Sequence, residues 1–523
     1  MSKIKNLLIK NWPIILVILL SAFLRLYRVR DYMTFLGDEG RDAIVVYNIL
    51  HGKLTLLGPT ASVGGFFLGP IYYYFMALFT LFFNYDPVGP SVMVALIGVA
   101  TVWFVYKIGN SFFNKTTGLI AALLYAISPV VIAYSRSSWN PNIVPFFSLC
   151  ALYAIYKALN QKSTKWLIAC GFFLGIGLQL HYLITFLIAI IFIYLLISKL
   201  SLEREIKITK KFLSIIKSYF FILIGLIIGW SPFLAFEVRH GFMNTTSIYN
   251  FILKSGDTGS GNQFFSIIYD VFFRLYARLV LAFPSFEHFS DYSKTSILLW
   301  QILALVIGTG STILLFYLLF KNIKHKEKFL QLNLLAVWLV LGIVLFGFYK
   351  KSIYDYYFGF IFPLPFLLVA NLASTIWAKS KIILKFLIAV FLIFTVWINA
   401  QGVPFRYEPN RQLDQMEAIA KFVFTKTDSK PFNFALISGS NSDHAYRYFF
   451  TIWGKPPVTI DYVGKDPQRK TVTDQLFVVC ESLPCQPLGH SLWEIAGFGR
   501  AEIEEEWDIS VVKIYKLVHY KGK

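Results

Sequence analysis

Residues 166–198 read WLIACGFFLGIGLQLHYLITFLIAIIFIYLLIS, a run of 33 residues without one charged side chain. A helix rises about 1.5 Å per residue and the hydrocarbon core of a bilayer is about 30 Å thick, so about 20 apolar residues complete one crossing. The run is therefore too long for one crossing. Polar Gln179 and His181 stand near its midpoint, where a turn could reach water. We predict two short membrane helices here, 166–180 and 182–198.

The same criterion, applied to the whole chain, predicts an all-α polytopic membrane bundle. Of the 523 residues, 56% are hydrophobic and only 15% are charged, and the mean hydropathy is +0.60, which excludes an ordinary soluble globular domain. About eleven spans are predicted, at residues 12–29, 88–108, 116–134, 141–158, 166–180, 182–198, 218–236, 295–320, 330–349, 356–375 and 382–400.

One further uncharged run, 66–83, is predicted not to cross the bilayer. Gly69 and Pro70 stand near its start and three tyrosines follow at 72–74, which suits a helix that lies in the interface with its tyrosines at headgroup depth. Counting this run as a span would invert the side on which every later loop lies, unless 166–198 were at the same time one long span. Even then five lysines would lie outside.

The distribution of charge predicts the orientation. With the amino terminus in the cytoplasm, the cytoplasmic segments hold 21 Lys and Arg against 3 acids, and the opposite side of the membrane part holds 13 against 11. This asymmetry follows the positive-inside rule. Residues 401–523 hold 15 of each sign, so the net charge of +20 belongs to the membrane part and requires no nucleic-acid partner. We expect a multi-pass plasma-membrane protein with a cytoplasmic amino terminus.

Two domains are predicted. Residues 1–400 form a transmembrane module with a first outer loop, 30–87, and a long outer loop, 237–294. Residues 401–523 form a small extracytoplasmic α/β domain, because helical and strand patterns alternate there. Its predicted elements are helices at 411–425 and 442–453 and strands at 432–437, 458–462, 475–479 and 509–515, with Cys480 and Cys485 close enough in sequence to form a disulfide outside the cytosol.

The first outer loop opens with Gly-Asp-Glu-Gly-Arg-Asp at 37–42. An isolated pair of acids such as Asp38 and Glu39 can be incidental in a solvated loop. Here a predicted amphipathic helix at 43–50 follows, and the loop continues to the interfacial run 66–83. The acids therefore belong to a segment that is built against the membrane surface.

Such carboxylates could take a proton from an acceptor hydroxyl while cations stabilise a leaving lipid phosphate. The cationic candidates on the predicted outer face are Arg41, Arg136, Arg239, Lys350 and Lys351. The lysine pair Lys350 and Lys351 could equally anchor a span end at the interface. Tyr354 and Tyr357 could bracket a lipid headgroup or belong to an aromatic belt.

Several longer motifs accompany the acid pair at 38–39. They are Ala-Leu-Leu-Tyr-Ala-Ile-Ser-Pro at 122–129, Tyr-Ser-Arg-Ser-Ser-Trp-Asn-Pro-Asn at 134–142, Gly-Leu-Gln-Leu-His-Tyr at 177–182 and Phe-Glu-Val-Arg-His-Gly-Phe at 236–242. The pattern resembles the bacterial relatives of the protein O-mannosyltransferases, so the chain looks similar to glycosyltransferase family 39. The resemblance covers residues 1 to about 400 and implies the C-type (GT-C) glycosyltransferase fold, shared with aminoarabinose transferases and oligosaccharyltransferase catalytic subunits.

The resemblance implies transfer of a sugar from a polyprenyl-phosphate donor to an acceptor hydroxyl on a protein, lipid or glycan. Asp38 would be the catalytic base, with Glu39 shaping the site or contacting the acceptor. Arg136 and Asn140 would lie in the second outer loop, close to the first. In some relatives an acid in that second loop helps to bind a divalent metal, but residues 137–142 contain no carboxylate, so metal dependence stays open.

Three further polar residues have two interpretations each. Glu237 and His240 stand three residues apart, which places them on one helical face, and they could hold a metal ion or form an ion pair or a hydrogen-bonded histidine. His181 could line a pocket or pack within the bundle, because polar groups within a membrane are costly unless they face a cavity.

Two other function classes compete with a transferase. One is a multi-span lipid or sugar transporter or flippase, and the other is an envelope polysaccharide polymerase or ligase. Transporters usually contain internal repeats and interrupted helices near the midplane. The sequence contains no such repeat and its carboxylates cluster at the predicted surface, which favours the transferase.

Overall fold

The computed structural model describes residues 2–202, 207–254, 256, 258–259 and 261–522, with side chains from residue 11 onward. The chain divides into two compact units. The helical unit comprises Met1–Tyr27, Thr55–Tyr72 and Val92–Glu408. The mixed unit comprises Arg28–Leu54, Tyr73–Ser91 and Pro409–Lys523.

The helical unit is built from α-helices joined by short turns. These helices are Ser2–Leu26, Lys115–Ile127, Pro129–Tyr134, Val144–Gln161, Thr164–Leu180, Ile184–Leu202, Ile208–Gly229, Ser231–Arg239, Met243–Leu253, Phe264–Ala277, Lys294–Lys321, Lys326–Val344, Pro363–Lys379, Ile382–Gln401 and most of Val88–Phe112. Short 3-10 helices lie at Asn140–Ile143, Phe286–Asp291, Leu345–Phe348, Asp355–Phe360 and Pro404–Arg406.

Among the described residues, seven helices are long and apolar enough to cross a membrane by length and composition. They are Val88–Phe112, Asn140–Gln161, Ile184–Leu202, Ile208–Gly229, Lys294–Lys321, Lys326–Phe348 and Ile382–Gln401. Each overlaps one predicted span, but the predicted span 218–236 is wrong at its end, because helix Ile208–Gly229 stops there and a separate helix, Ser231–Arg239, follows. The other four predicted spans correspond to apolar helical segments of fewer than 18 residues, which are Asn11–Leu26, Lys115–Ile127, Thr164–Leu180 and Pro363–Lys379. The membrane bundle is confirmed, whereas the number of eleven crossings stays a prediction.

Two features of the predicted bundle agree with the structure in detail. The run 166–198 breaks at His181, between helices Thr164–Leu180 and Ile184–Leu202. The run 66–83 contains the helix Ile71–Phe82, whose 12 residues span about 18 Å and are too few to cross the hydrocarbon core.

Prolines move two of the predicted boundaries. The predicted span 116–134 is interrupted because Pro129 has no amide hydrogen and disfavours a helical conformation at Ser128, whose ψ is 121°. A new helix therefore starts at Pro129. The predicted span 356–375 begins later, at Pro363, because Asp355–Phe360 forms a 3-10 helix.

Glycines bring two helices of this unit unusually close together. A Cβ at Gly171 of helix Thr164–Leu180 would lie 1.9 Å from the carbonyl oxygen of Ile222 in helix Ile208–Gly229. Gly225 has an equally close neighbour across the same contact. Small residues permit this approach of membrane helices, so larger side chains at either position would separate them.

The mixed unit contains a four-stranded sheet with strand order β1-β2-β4-β3. The strands are β1 (Asn433–Ile437), β2 (Gln475–Cys480), β3 (Ala501–Ile509) and β4 (Val512–His519), with β1 parallel to β2 and β4 antiparallel to both β2 and β3. Helices of this unit are Val29–Tyr32, Gly37–Leu50, Gln412–Lys426, His444–Ile452, Trp493–Ala496 and most of Ile71–Phe82. Met33, Phe35 and Ala43 are buried in one core with Phe434 and Phe477 of the sheet.

The small α/β tail is confirmed, with two corrections to its strands. Residues 458–462 form no strand, although the Val458 amide donates to the carbonyl of Phe432 at 2.9 Å. The predicted strand 509–515 is the hairpin of β3 and β4. The sequence of β3, AEIEEEWDI, is charged because this strand forms an exposed edge of the sheet. A disulfide joins Cys480 to Cys485.

Candidate functional site

Asp38 and Glu39 lie in the first turn of helix Gly37–Leu50, which begins before the predicted start at residue 43. The amino-terminal turn of a helix carries partial positive charge, which favours carboxylates. Oε2 of Glu39 accepts a hydrogen bond of 3.0 Å from the amide of Leu36. The side chain of Asp38 is 61% exposed, whereas Glu39 is half-buried, so the two adjacent acids have different environments.

Arg41 connects Asp38 to a third acid that the sequence analysis did not select. Its Nη1 donates to Oδ1 of Asp38 at 2.9 Å, and its Nε and Nη2 donate to Oδ1 of Asp42 at 3.0 and 2.8 Å. Asp42 is fully buried and also accepts a 3.1 Å hydrogen bond from the hydroxyl of Tyr73. Asp42 and Tyr73 thereby fix Arg41, while no described residue bonds to Oδ2 of Asp38.

Glycines set the position of this acid-bearing turn. A Cβ on Gly40 would lie 2.3 Å from the backbone nitrogen of Ala445, so only glycine allows this close packing. The amide of Gly37 donates to Oδ1 of Asn441 at 2.9 Å, and Nδ2 of Asn441 donates to Glu481 at 3.0 Å. The turn that carries Asp38 is therefore held by the fold of the mixed unit.

Burial changes the protonation of two acids in this turn. It raises the pKa of Glu39 to about 7; the Leu36 amide opposes this shift, and the Asp38 and Asp42 carboxylates add to it. Burial also raises the pKa of Asp42 to about 6, against the charge and hydrogen bonds of Arg41. Glu39 can therefore exchange a proton near neutral pH.

Aromatic side chains surround His181 in the helical unit. Its ring stacks on Tyr182 with centroids 4.7 Å apart and lies 5.5 Å from the ring of Tyr357. Nδ1 of His181 accepts from the amide of Leu183 at 3.2 Å, so the ring proton lies on Nε2. The hydroxyls of Tyr182 and Tyr349 are 3.0 Å apart. The structure thus brings predicted His181 and Tyr357 together with two tyrosines that the sequence analysis did not select.

Tyr354 extends this aromatic cluster to an exposed surface. It is 56% exposed and stacks on Tyr356 with centroids 5.8 Å apart, and Tyr356 in turn lies 4.5 Å from Trp139. Lys350 and Lys351 are exposed. The segment 350–356 therefore carries exposed cations that are close in sequence to aromatic rings.

Arg136 and Asn140 are buried and bond to helix ends in the same unit. Arg136 donates from Nη1 to the carbonyl of Leu24 at 2.7 Å and from Nη2 to that of Tyr27 at 2.8 Å. Asn140 donates from Nδ2 to the carbonyl of Leu180 at 2.6 Å. Carbonyls at helix ends lack intrahelical partners, so these contacts stabilise the fold. Substrate binding by either residue stays a prediction.

Glu237 is also buried, and its carboxylate is occupied. Oε1 accepts from the backbone and side-chain nitrogens of Asn244 at 3.2 and 3.0 Å, and Oε2 accepts from the backbone and hydroxyl of Thr245, both at 2.7 Å. Nδ1 of His240 lies 2.9 Å from the carbonyl of Phe236. Nor do three His, Cys, Asp or Glu side chains group as metal ligands anywhere in the described ranges. Glu237 and His240 therefore do not fit a metal site in this arrangement.

The long outer loop contains exposed cations, among them the predicted Arg239, and two arginines that pair with an acid. Arg239 is exposed. Arg274 and Arg278, which the sequence analysis did not select, both bond to Asp355, with Nε of Arg278 at 2.6 Å from Oδ2. Residues four apart in a helical segment share one face, so the spacing of these two arginines could have identified them from the sequence. Three residues of the loop, at 255, 257 and 260, lie outside the described residues.

The comparisons with known proteins agree on one class. Residues 68–230 match the family described as dolichyl-phosphate-mannose-protein mannosyltransferase. The fold matches the crystal structure of ArnT from Cupriavidus metallidurans bound to undecaprenyl phosphate, with a TM-score of 0.60 over 97% of this chain and 98% of that chain at 11% identity. The chain has the GT-C fold, and residues 68–230 are similar to a mannosyltransferase family. This confirms the resemblance that the motifs indicated.

Other known proteins are similar to this chain over shorter regions. “Putative mannosyltransferase YkcB” and “Putative mannosyltransferase YycA” of Bacillus subtilis (strain 168) are 24% and 26% identical over 37% and 31% of this chain. The aligned region spans 27% and 23% of these relatives, about a quarter of their length. The oligosaccharyltransferase AglB of Archaeoglobus fulgidus, in complex with an inhibitory peptide and a dolichol-phosphate, matches with a TM-score of 0.50 over 90% of this chain and 70% of that chain at 12% identity. At 11% and 12% identity, the structural likenesses concern the fold.

Proposed function

We propose that this chain transfers a sugar from a polyprenyl-phosphate donor to an acceptor hydroxyl on the outer face of the membrane, with Asp38 as general base. The observation that carries the proposal is the asymmetric setting of the Asp38 carboxylate. Arg41 holds Oδ1 at 2.9 Å, the side chain is 61% exposed, and no described residue occupies Oδ2. A general base needs such an accessible oxygen in a fixed orientation.

The reaction is a substitution at the anomeric carbon of the sugar. Oδ2 of Asp38 takes the proton of the acceptor hydroxyl while the hydroxyl oxygen forms the new glycosidic bond. The bond between the anomeric carbon and the phosphate oxygen breaks, and the polyprenyl phosphate leaves with its electron pair. Glu39, whose pKa burial raises to about 7, contacts the acceptor in this proposal.

A leaving lipid phosphate needs cations that stabilise its negative charge. Arg239, Lys350 and Lys351 are exposed, and arginine can bind phosphate oxygens through two parallel hydrogen bonds. Tyr354 offers an exposed ring beside the lysine pair for the sugar or the headgroup. ArnT was crystallised with undecaprenyl phosphate and AglB with a dolichol-phosphate, which supports a lipid-phosphate ligand for this fold.

A transfer assay tests the reaction class. Purified protein in nanodiscs would be incubated with radiolabelled polyprenyl-phosphate sugars or, in parallel, with nucleotide sugars, and label in acceptor proteins, lipids and glycans would be measured. We expect label to move from the lipid-linked donor and none from the nucleotide sugars. Lipid translocation without sugar transfer would contradict the proposal and favour a flippase.

Accessibility labelling tests the proposed orientation. A cysteine at Lys53, which is exposed in the predicted first outer loop, should react with a membrane-impermeant maleimide added to intact cells. A cysteine at Lys324, which is exposed in a predicted cytoplasmic turn, should react only after lysis. The reverse pattern would place the Asp38 turn in the cytoplasm and contradict the proposal.

A further inference from the structure

A large cavity in the helical unit has no part in the proposed transfer reaction. Its volume is about 1060 Å³, and it lies where four helices end, namely Val144–Gln161, Thr164–Leu180, Ile184–Leu202 and Ile208–Gly229, with residues 323–326 beside them. Five lysines line it, which are Lys162, Lys199, Lys217, Lys324 and Lys326. None of its described lining residues is an acid, so the described lining carries a strong positive charge.

Most of this charge has no counter-ion among the described residues. Nζ of Lys199 donates to the backbone oxygen of Ser214 at 2.9 Å and to its hydroxyl at 2.6 Å. The other four lysines form no ion pair with any carboxylate in the described part of the chain. A cavity with several unpaired ammonium groups favours an anionic ligand, since like charges gathered without a counter-ion repel one another.

A helix end adds to the attraction for an anion. Ser163 and Thr164 line the cavity where helix Thr164–Leu180 begins, and the side chain of Ser163 makes no capping hydrogen bond. The first amides of a helix lack intrahelical partners and bind phosphate groups well. The hydroxyls of Ser201 and Ser218 also line the cavity.

The walls are not polar throughout. Leu159, Leu167, Leu202 and Phe221 line the same cavity. A small soluble anion would leave these apolar groups in water, whereas an amphipathic ligand would cover them while its charged group meets the lysines. The predicted cytoplasmic position of all five lysines places the cavity at the depth of the inner-leaflet headgroups, where anionic lipids attract basic residues.

We propose that this cavity is a binding site for the phosphate headgroup of an anionic glycerophospholipid. The lysines and the start of helix Thr164–Leu180 bind the phosphate, and the apolar wall takes the upper part of the acyl chains. This site is separate in its residues from those of the proposed transfer reaction, so either proposal can fail without the other.

The test compares two triple variants by native mass spectrometry of the full chain with added phosphatidylglycerol. The cavity variant is Lys217→Gln, Lys324→Gln and Lys326→Gln. The matched control is Lys379→Gln, Lys381→Gln and Lys385→Gln, which removes three charges from the same predicted side but none from the cavity lining. We expect phosphatidylglycerol to bind the cavity variant at least about tenfold more weakly than the wild type, and the control to bind as the wild type does.

Two further binding experiments identify the ligand. Phosphatidylcholine should bind at least about tenfold more weakly than phosphatidylglycerol to the wild type, and glycerol phosphate should not displace the lipid. Equal weakening in both triple variants would show general surface attraction and overturn the proposal. Displacement by glycerol phosphate would assign the cavity to a soluble phosphate ester instead. An unchanged unfolding temperature of the cavity variant in phosphatidylcholine excludes misfolding as the cause of the weaker binding.

Discussion

Arg41 donates two hydrogen bonds to one carboxylate oxygen of Asp42, from Nε at 3.0 Å and from Nη2 at 2.8 Å. Asp42 is fully buried, so water does not compete for its hydrogen bonds with Arg41. The remaining nitrogen, Nη1, reaches the exposed Asp38. Asp42 is thus a positioning residue in our account, because it fixes the cation that orients the proposed base.

The raised pKa of Glu39 predicts a stability that depends on pH. Burial lifts this pKa to about 7 from an ordinary value of 4.5, so the folded chain binds the proton more tightly than the unfolded chain. This contribution to stability is complete below about pH 4.5 and is lost as the pH rises through about 7. Glu39→Gln, which keeps an acceptor for the Leu36 amide, should therefore raise the apparent unfolding temperature in detergent at pH 8.

The same measurement at pH 5 is the control for that prediction. There Glu39 is protonated in the folded chain, and the variant and the wild type should unfold at nearly the same temperature. A difference that is equal at both pH values would show that the carboxyl does not titrate as we describe.

Gly40 should tolerate no side chain. A valine there would meet the backbone of Ala445, so Gly40→Val should lower the stability by about 1–3 kcal/mol and displace the turn that carries Asp38. The control is Gly439→Ala, whose Cβ would meet only Oγ of Ser482, at 3.9 Å. Thermal unfolding of both variants measures the difference, and equal stability would refute the close packing.

The local features of this chain were accessible from sequence. The break at His181 and the tail elements around Phe434 follow from runs and alternations of neighbouring residues, and Asp38 with Glu39 stood out as adjacent acids. These signals need no knowledge of distant contacts. The count of complete crossings is harder, because prolines such as Pro129 and Pro363 divide apolar runs into shorter helices.

The hydrogen-bond partners of the polar residues could not be predicted from the sequence in this way. Asp42 meets Tyr73 across 31 positions and Arg136 meets Leu24 across 112 positions, and no periodicity encodes either pair. Nor does composition distinguish a helix-capping asparagine such as Asn140 from one that binds substrate. Such roles depend on which helix end lies within hydrogen-bonding distance in the folded chain.

Arg136 and Arg239 should respond differently to substitution. Arg136→Gln would remove two hydrogen bonds to carbonyls at a helix end, of which the bond to Leu24 is buried, so it should destabilise the chain by about 1–3 kcal/mol. Arg239→Gln, at an exposed position, should keep the unfolding temperature and raise the KM for the lipid-linked donor. Thermal unfolding together with donor titration separates the two effects. An unchanged stability of Arg136→Gln would contradict the helix-end role.

Glu237 should act through the helix that follows it. Glu237→Ala removes an acceptor for four donors on Asn244 and Thr245 and should cost about 1–3 kcal/mol of stability. His240→Ala, at an exposed neighbour, should have a much smaller effect. If instead both variants unfold like the wild type but lose a metal-dependent activity in parallel, Glu237 and His240 would be metal ligands and our interpretation would be wrong.

The most direct test compares single-turnover transfer rates of Asp38→Asn and Asp31→Asn in the same nanodiscs. Asp31 is a matched control, because it also pairs with an arginine three residues away, with Arg28 at 2.6 Å, and has no role in the proposed chemistry. We predict a rate at least about 100-fold lower for Asp38→Asn, with unchanged thermal unfolding, and a rate within about twofold of the wild type for Asp31→Asn. A well-folded Asp38→Asn protein that transfers sugar at the wild-type rate would contradict the assignment of Asp38 as the general base.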